Sequence, residues 1–356
     1  MSTYVNVLII LLLIKYALNH WPGLSREKNQ LAFLVIASIL LALFTGFRDE
    51  WTGPDTDGYI RAFFSYKRVD SVMQVFNRKV KNDEYGYALW NWIISRFTDN
   101  VNVFFTLTSS FFAYSLARFI YKNSHNQFFS MILYYTVGMF GFQMTGMRQA
   151  MAMAVLLFSF EYIKERKLIK FIIVCFVASW FHKSALTFLV AYPFAYMKIN
   201  FKNFTIIFSL FLFSLFYGAK LSQIMGNLIG YEREFDAGIR GDIGGETVIG
   251  MLLIAIILSY MFSMRLSEQS KYNAVYFNLT VYTLVIYILR YSIHALERVS
   301  HYYQYAFIIL LPNAIEAIPD KKTKKVVYTC AVVLACALFF YRYQLKGTSY
   351  YGFFVS

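Results

Sequence analysis

The chain has 356 residues, of which 58% are apolar, 20% aromatic and only 15% charged. Soluble domains run near half apolar and a quarter charged, and this much apolar surface cannot be hidden inside one aqueous core; a soluble globular enzyme, a disordered chain and a coiled coil are excluded. The net charge of +14 raises nucleic acid as a partner unless the cations fall in loops beside membrane spans.

Eleven apolar runs follow in chain order: Tyr4–Leu18, Leu31–Phe47, Val101–Ile120, Phe128–Phe142, Ala150–Tyr162, Leu168–Met197, Phe204–Tyr217, Val248–Met264, Tyr272–Leu289, Tyr302–Ile318 and Val326–Tyr341. A membrane helix needs about 20 mostly apolar residues, so the pattern predicts an all-α polytopic transmembrane helical bundle. The first charge, Lys15, follows the first run instead of preceding it, so no cleavable signal peptide is expected.

Leu168–Met197 decides the topology. One straight helix of that length would rise roughly 45 Å, well beyond a hydrocarbon core of about 30 Å. It is interrupted at Phe181-His182-Lys183-Ser184, and both of its ends are basic. If it turns back at His182, loops 19–29, 118–125, 164–170, 198–202, 265–271 and 319–325 share one face. Together they hold sixteen Lys or Arg against four acids, the asymmetry of a cytoplasmic face. The expectation is therefore 11–12 membrane segments, with a broken helix pair near His182. The cations then sit in cytoplasmic loops, and nucleic acid is not expected as a partner.

The sequence reads as a single integral membrane domain over 1–356. Segment 48–100 is its one long extramembrane stretch, and 219–246 is a glycine-rich, net acidic outer loop. Within the former, Tyr85–Phe97 carries tryptophans and an apolar face, which predicts a helix lying along the outer interface. Neither HExxH nor zinc-spaced cysteines occur, and Cys175, Cys330 and Cys336 are too few for a disulfide framework. Walker and GxGxxG motifs are absent as well. Neither a metal nor a cofactor is expected.

Polar residues converge on the outer face under this topology. Arg48, Asp55 and Asp57 follow the second span, Arg148 and Gln149 open the fifth, and His182-Lys183 breaks the long run. Arg290 ends the ninth span, Glu297 and Arg298 precede the tenth, and Tyr302 opens it. Each has a plainer reading. Arg48 and Arg290 could snorkel at an interface. Asp55 and Asp57 could form a turn, Glu297 and Arg298 could pair with each other, and His182 could be a satisfied core histidine. Arg148 is harder to dismiss. A cation heading an apolar helix opposes the helix dipole, so it calls for an anion beside it. Forked arginine donors match phosphate, and a lipid-linked diphosphate sugar has phosphates at that depth.

Three blocks resemble the EpsG family of Wzy-like bacterial polysaccharide polymerases: Gly46-Phe-Arg48 with Gly53-Pro-Asp55-Thr-Asp57-Gly-Tyr59; Met147-Arg148-Gln149-Ala-Met-Ala152 with Ala178-Ser-Trp-Phe-His182-Lys-Ser-Ala185; and Glu297-Arg298-Val-Ser-His-Tyr302-Tyr303 ahead of a span with Pro312. The resemblance implies a metal-independent glycosyltransferase. It would join repeat units carried on undecaprenyl diphosphate, at the periplasmic or outer face of the bacterial inner membrane, into O-antigen, capsule or exopolysaccharide. Its implied partners are polyprenyl-diphosphate-linked oligosaccharides, membrane lipid and a chain-length regulator protein. On this reading Arg148, Arg298 and Arg48 bind the diphosphate. His182 is either the base for the acceptor hydroxyl or a phosphate donor, with Asp55 or Asp57 as the alternative base. Gln149, Lys183, Arg290, Glu297 and Tyr302 contact substrate or the groups that do. A flippase or exporter of lipid-linked oligosaccharide and a lipid-linked glycan ligase are the competing readings.

Overall fold

The computed structural model describes residues 3–53, 55–77, 84–197, 245–290 and 295–341, together with 205, 209, 213, 217 and 220. The expected outer loop over 219–246 lies almost wholly outside them, as does most of the run from Phe204 to Tyr217. The chain is an all-α helical membrane protein. Three described helices are long and apolar enough to cross a membrane: α2 (Arg26–Gly46), α6 (Val101–Asn123) and the last helix (Lys321–Phe340). A fourth crossing forms if Val248–Met261 and Ser263–Gln269, bent by 86° at their junction, count as one broken span. The other apolar runs that lie within the described residues fold as shorter helices.

Contacts divide the chain into two compact units. Met1–Tyr162, Lys167–Leu186 and Thr329–Ser356 make the first, and Ile163–Arg166 with Thr187–Tyr328 make the second. In the first unit α1 (Thr3–Asn19) and α6 both pack on α2. The α2–α6 contact is close because its residues are small: Ser109 Oγ donates to the Ala42 carbonyl at 2.9 Å, and Gly46 lies against Thr106. Small residues and hydroxyls of this kind let helix backbones approach where lipid supplies no hydrophobic drive. Helix starts follow capping chemistry. The Ser25 side chain accepts from the Lys28 N–H, and that of Asn100 from the Asn102 N–H.

Segment 48–100 is more ordered than a loop. It folds as α3 (Thr56–Lys67), α4 (Val72–Asn77) and α5 (Tyr85–Ser95), where the sequence had offered a turn at Asp55-Thr-Asp57 and one interfacial helix. The aspartates stand at the start of α3, where a helix N-terminus favours anions. Tyr59, Phe63, Tyr87, Ile94, Phe104, Phe105, Met147 and Met151 close into one apolar cluster, which ties α3 and α5 to α6 and to α9 (Met147–Lys164).

Besides Val248–Met264, two of the apolar runs are broken where the sequence read one span. Phe128–Phe142 becomes α7 (Gln127–Thr136) and α8 (Met139–Thr145), because Gly138 takes a left-handed φ of +93°, which glycine adopts without a Cβ clash. The run from Tyr302 to Ile318 is divided at Gln304. The expected break near His182 is present. The helix α10 (Leu168–Ser179) stops, His182 is not helical, and a 3-10 helix runs over Lys183–Val190. So long a 3-10 stretch is uncommon and marks a departure from simple helical packing.

In the second unit, Tyr303 donates its hydroxyl to the Thr187 carbonyl at 2.7 Å and packs on Phe188 and Tyr282. Asn313 Nδ2 donates to Asn273 Oδ1 at 2.9 Å, joining their two helices through a buried polar pair.

Candidate active site

Breaking a helix leaves backbone carbonyls that must find donors, and at membrane depth water is scarce. At the end of α10 one donor comes from α5: the Gly86 N–H bonds to the Trp180 carbonyl at 2.8 Å. A Cβ on Gly86 would stand 2.8 Å from that same oxygen, so only glycine allows the approach. The contact brings the residue just before α5, Glu84, against the break.

Glu84 is the centre of the site. Its residue exposure is 8%. One carboxylate oxygen, Oε1, lies 3.0 Å from His182 Nδ1 and accepts the Lys183 backbone N–H at 3.2 Å. The other, Oε2, accepts from Arg148 Nη1 at 3.1 Å. Burial by itself raises the pKa of Glu84. The His182 hydrogen bond and charge, the Arg148 charge and the Lys183 N–H outweigh it, so the net shift is downward and the group stays an anion. The carboxylate is the anion that Arg148, at the head of an apolar helix, required. Arg148 and His182 keep 29% and 19% of their side-chain surface open.

Behind this trio Tyr59 fixes the start of α9. Its hydroxyl donates to the Thr145 carbonyl at 2.9 Å and accepts from the Met147 N–H at 3.0 Å. Burial, then the charge of Asp55, raise its pKa, opposed by Arg148 and Arg48. Arg48 is fully buried. Its guanidinium lies 4.3 Å from the centre of the Phe105 ring, and Nη2 is 3.9 Å from Met147 Sδ. It is thus held beneath the residue that precedes Arg148, as a cation on an aromatic face, and not as a snorkelling surface residue.

The other expected residues fall elsewhere. Asp57 forms an i,i+4 pair with Arg61 at 2.5 Å, with both side chains at least half exposed. Asp55 is exposed at the start of α3 and makes no side-chain cap. Gln149 is buried on α9. Lys183 enters the Glu84 cluster through its backbone N–H. In the second unit Arg290 Nη1 meets Glu297 Oε1 at 3.3 Å and its guanidinium covers the Tyr287 ring. Arg298 is exposed on the helix Ala295–Tyr303 and Tyr302 is buried. Glu297, which the sequence offered as a partner for Arg298, pairs with Arg290. Among the described residues no three His, Cys, Asp or Glu side chains gather as metal ligands.

Glu84 was not singled out by sequence. It is one of eight acids in 48–100, and the only local sign is an acid directly ahead of an apolar, tryptophan-bearing helix. Chemically, the arrangement is a cation and an imidazole held on one carboxylate at a helix break.

Neither the curated proteins nor the solved structures contain a match to this chain. A family model does match, over residues 31–355, nearly the whole length. The chain belongs to the EpsG family, a Wzy-like polysaccharide polymerase family.

Proposed function

We propose that this protein is a glycosyltransferase that polymerises polyprenyl-diphosphate-linked oligosaccharide repeat units at the outer face of the bacterial cytoplasmic membrane. Family membership supports a polysaccharide polymerase role. The observation that carries the chemical reading is the meeting of Arg148, His182 and the Lys183 N–H on Glu84, beside a helix break. A phosphate oxygen presents the same acceptor character as that carboxylate, and a forked guanidinium suits it.

In the proposed reaction an acceptor sugar hydroxyl attacks the anomeric carbon of the donor's first sugar. The bond from that carbon to the diphosphate oxygen breaks, and polyprenyl diphosphate leaves with the electron pair. A diphosphate leaves without a strong acid, so the main demand is stabilisation of its growing charge. A preorganised cation contributes roughly 3 kcal/mol to such a step. Arg148 has that role. Arg48 packs on the Met147 side chain, next to Arg148. No metal is needed on this account.

The test is purified protein in proteoliposomes supplied with one defined lipid-linked repeat unit. A ladder of products spaced by one repeat supports polymerisation. Transfer of the unit between leaflets without a ladder would make the protein a flippase, and transfer to a different acceptor a ligase.

A further inference from the structure

We propose that Glu84 is the positioning residue that makes His182 the general base of the reaction, by holding its Nδ1 as a donor and turning Nε2 toward the acceptor hydroxyl. This inference rests on the polymerase reading and settles which of two roles His182 has in it.

The argument is one of lone pairs. An ionised carboxylate only accepts hydrogen bonds. Glu84 Oε1 lies 3.0 Å from His182 Nδ1, so that nitrogen must carry the hydrogen. A neutral imidazole with hydrogen on Nδ1 has its lone pair on Nε2, at the opposite edge of the ring. In its neutral form such a ring can take a proton there and cannot donate to a phosphate from there; only its imidazolium form donates from both nitrogens. The phosphate-donor role is left to Arg148, whose side chain is the more open of the two. The Lys183 N–H and Arg148 Nη1 both bond the same carboxylate, so its two oxygens are fixed from three directions and the ring it holds cannot rotate freely.

Glu84 can also stabilise the charged product of the step. As the acceptor oxygen forms its bond to the anomeric carbon, its proton passes to Nε2. The imidazolium then faces the Glu84 carboxylate, and releases the proton to water once polyprenyl diphosphate has gone. Before that step the Glu84–Arg148 pair is locally neutral, so the site does not repel the cation that forms. Carboxylate, imidazole and hydroxyl in this order are a general arrangement for base catalysis, recognised by geometry and not by chain order.

The test compares the full-length protein with Glu84→Gln in the same proteoliposomes, in two measurements. The first is steady-state polymerisation. The inference predicts that kcat falls about 100-fold or more, while KM for the lipid-linked repeat unit stays within about twofold. The second is 15N NMR of imidazole-labelled protein, with the His182 signals assigned by their loss in His182→Gln. Wild type should show the neutral ring with hydrogen on Nδ1, and Glu84→Gln should shift the population toward hydrogen on Nε2. An unchanged kcat, a loss confined to KM, or a wild-type His182 with hydrogen on Nε2 would each overturn the inference. The last needs no variant, so misfolding of Glu84→Gln does not protect the idea. The NMR result also stands apart from activity. A wild type that holds the Nδ1–H ring yet makes no polymer defeats the polymerase reading, not the Glu84–His182 clamp.

Discussion

Glu84 and His182 stand ninety-eight positions apart in the chain, and their side chains meet at 3.0 Å where an apolar helix breaks. The contact depends on a backbone event, the Gly86 N–H closing on the Trp180 carbonyl. A stretch outside the membrane spans thereby delivers an acid to a histidine within an apolar run.

That backbone event predicts the effect of Gly86→Ala. The new methyl would sit 2.8 Å from the Trp180 oxygen, and a backbone atom cannot swing away. Overpacking of this kind costs about 1–3 kcal/mol. The variant should show a lowered unfolding temperature in detergent and little polymer. Full activity in Gly86→Ala would mean that α5 and the break need not touch.

Arg148→Lys separates fork from charge. Lysine keeps the charge beside Glu84 but loses the planar pair of donors. Polymer should fall by at least tenfold while the protein still inserts and extracts normally. Lipopolysaccharide or capsule gels from a complemented deletion strain, alongside membrane immunoblots, read both. Chains of wild-type length would remove Arg148 from the diphosphate site.

Glu84→Ala should unfold more easily than Glu84→Gln. Alanine leaves a guanidinium and an imidazole without their shared acceptor, and loss of one partner of a buried pair costs about 3 kcal/mol. The amide retains one acceptor oxygen. Thermal unfolding of both variants checks the order, and equal values would show that the retained amide oxygen does not stand in for the carboxylate.

The lowered pKa of Glu84 has a direction in pH. Its folded value lies below the ordinary 4.5, so the folded state binds the proton less well than the unfolded chain does. The stabilisation is fully present above about that ordinary value and is lost as pH falls through the folded one. Acid scans of unfolding temperature should therefore drop more steeply below pH 4.5 in wild type than in Glu84→Gln. Parallel curves would assign acid lability to other carboxylates.

Much of this was legible in the residues. Apolar runs gave helices, and Phe181-His182-Lys183-Ser184 marked the break, because no single helix of that length fits a bilayer. Arg148 at a helix start required an anion. Which anion was not legible: Glu84 is brought in by a glycine contact across ninety-four residues, and nothing local distinguishes it from its seven acidic neighbours in 48–100. The Asp55-Thr-Asp57 stretch misled in the other direction. Its turn chemistry is also the chemistry of a helix start, and Asp57 pairs along its own helix with Arg61. Arg48 could be read as an interfacial cation from its place after a span. Only packing shows it enclosed against Phe105 and Met147. Short helices such as Met139–Thr145 escaped because a left-handed glycine divides an apolar run without any change in hydropathy.

The most direct test of the central claim is to map where the diphosphate binds. A polyprenyl diphosphate carrying a photoreactive group on its first isoprene would be crosslinked to the protein in proteoliposomes and the labelled peptides sequenced. The account predicts labels on peptides containing Glu84, Arg148 and His182, suppressed by excess unlabelled lipid and weakened in Arg148→Lys. Competed labelling confined to peptides that contain none of these three residues would contradict it.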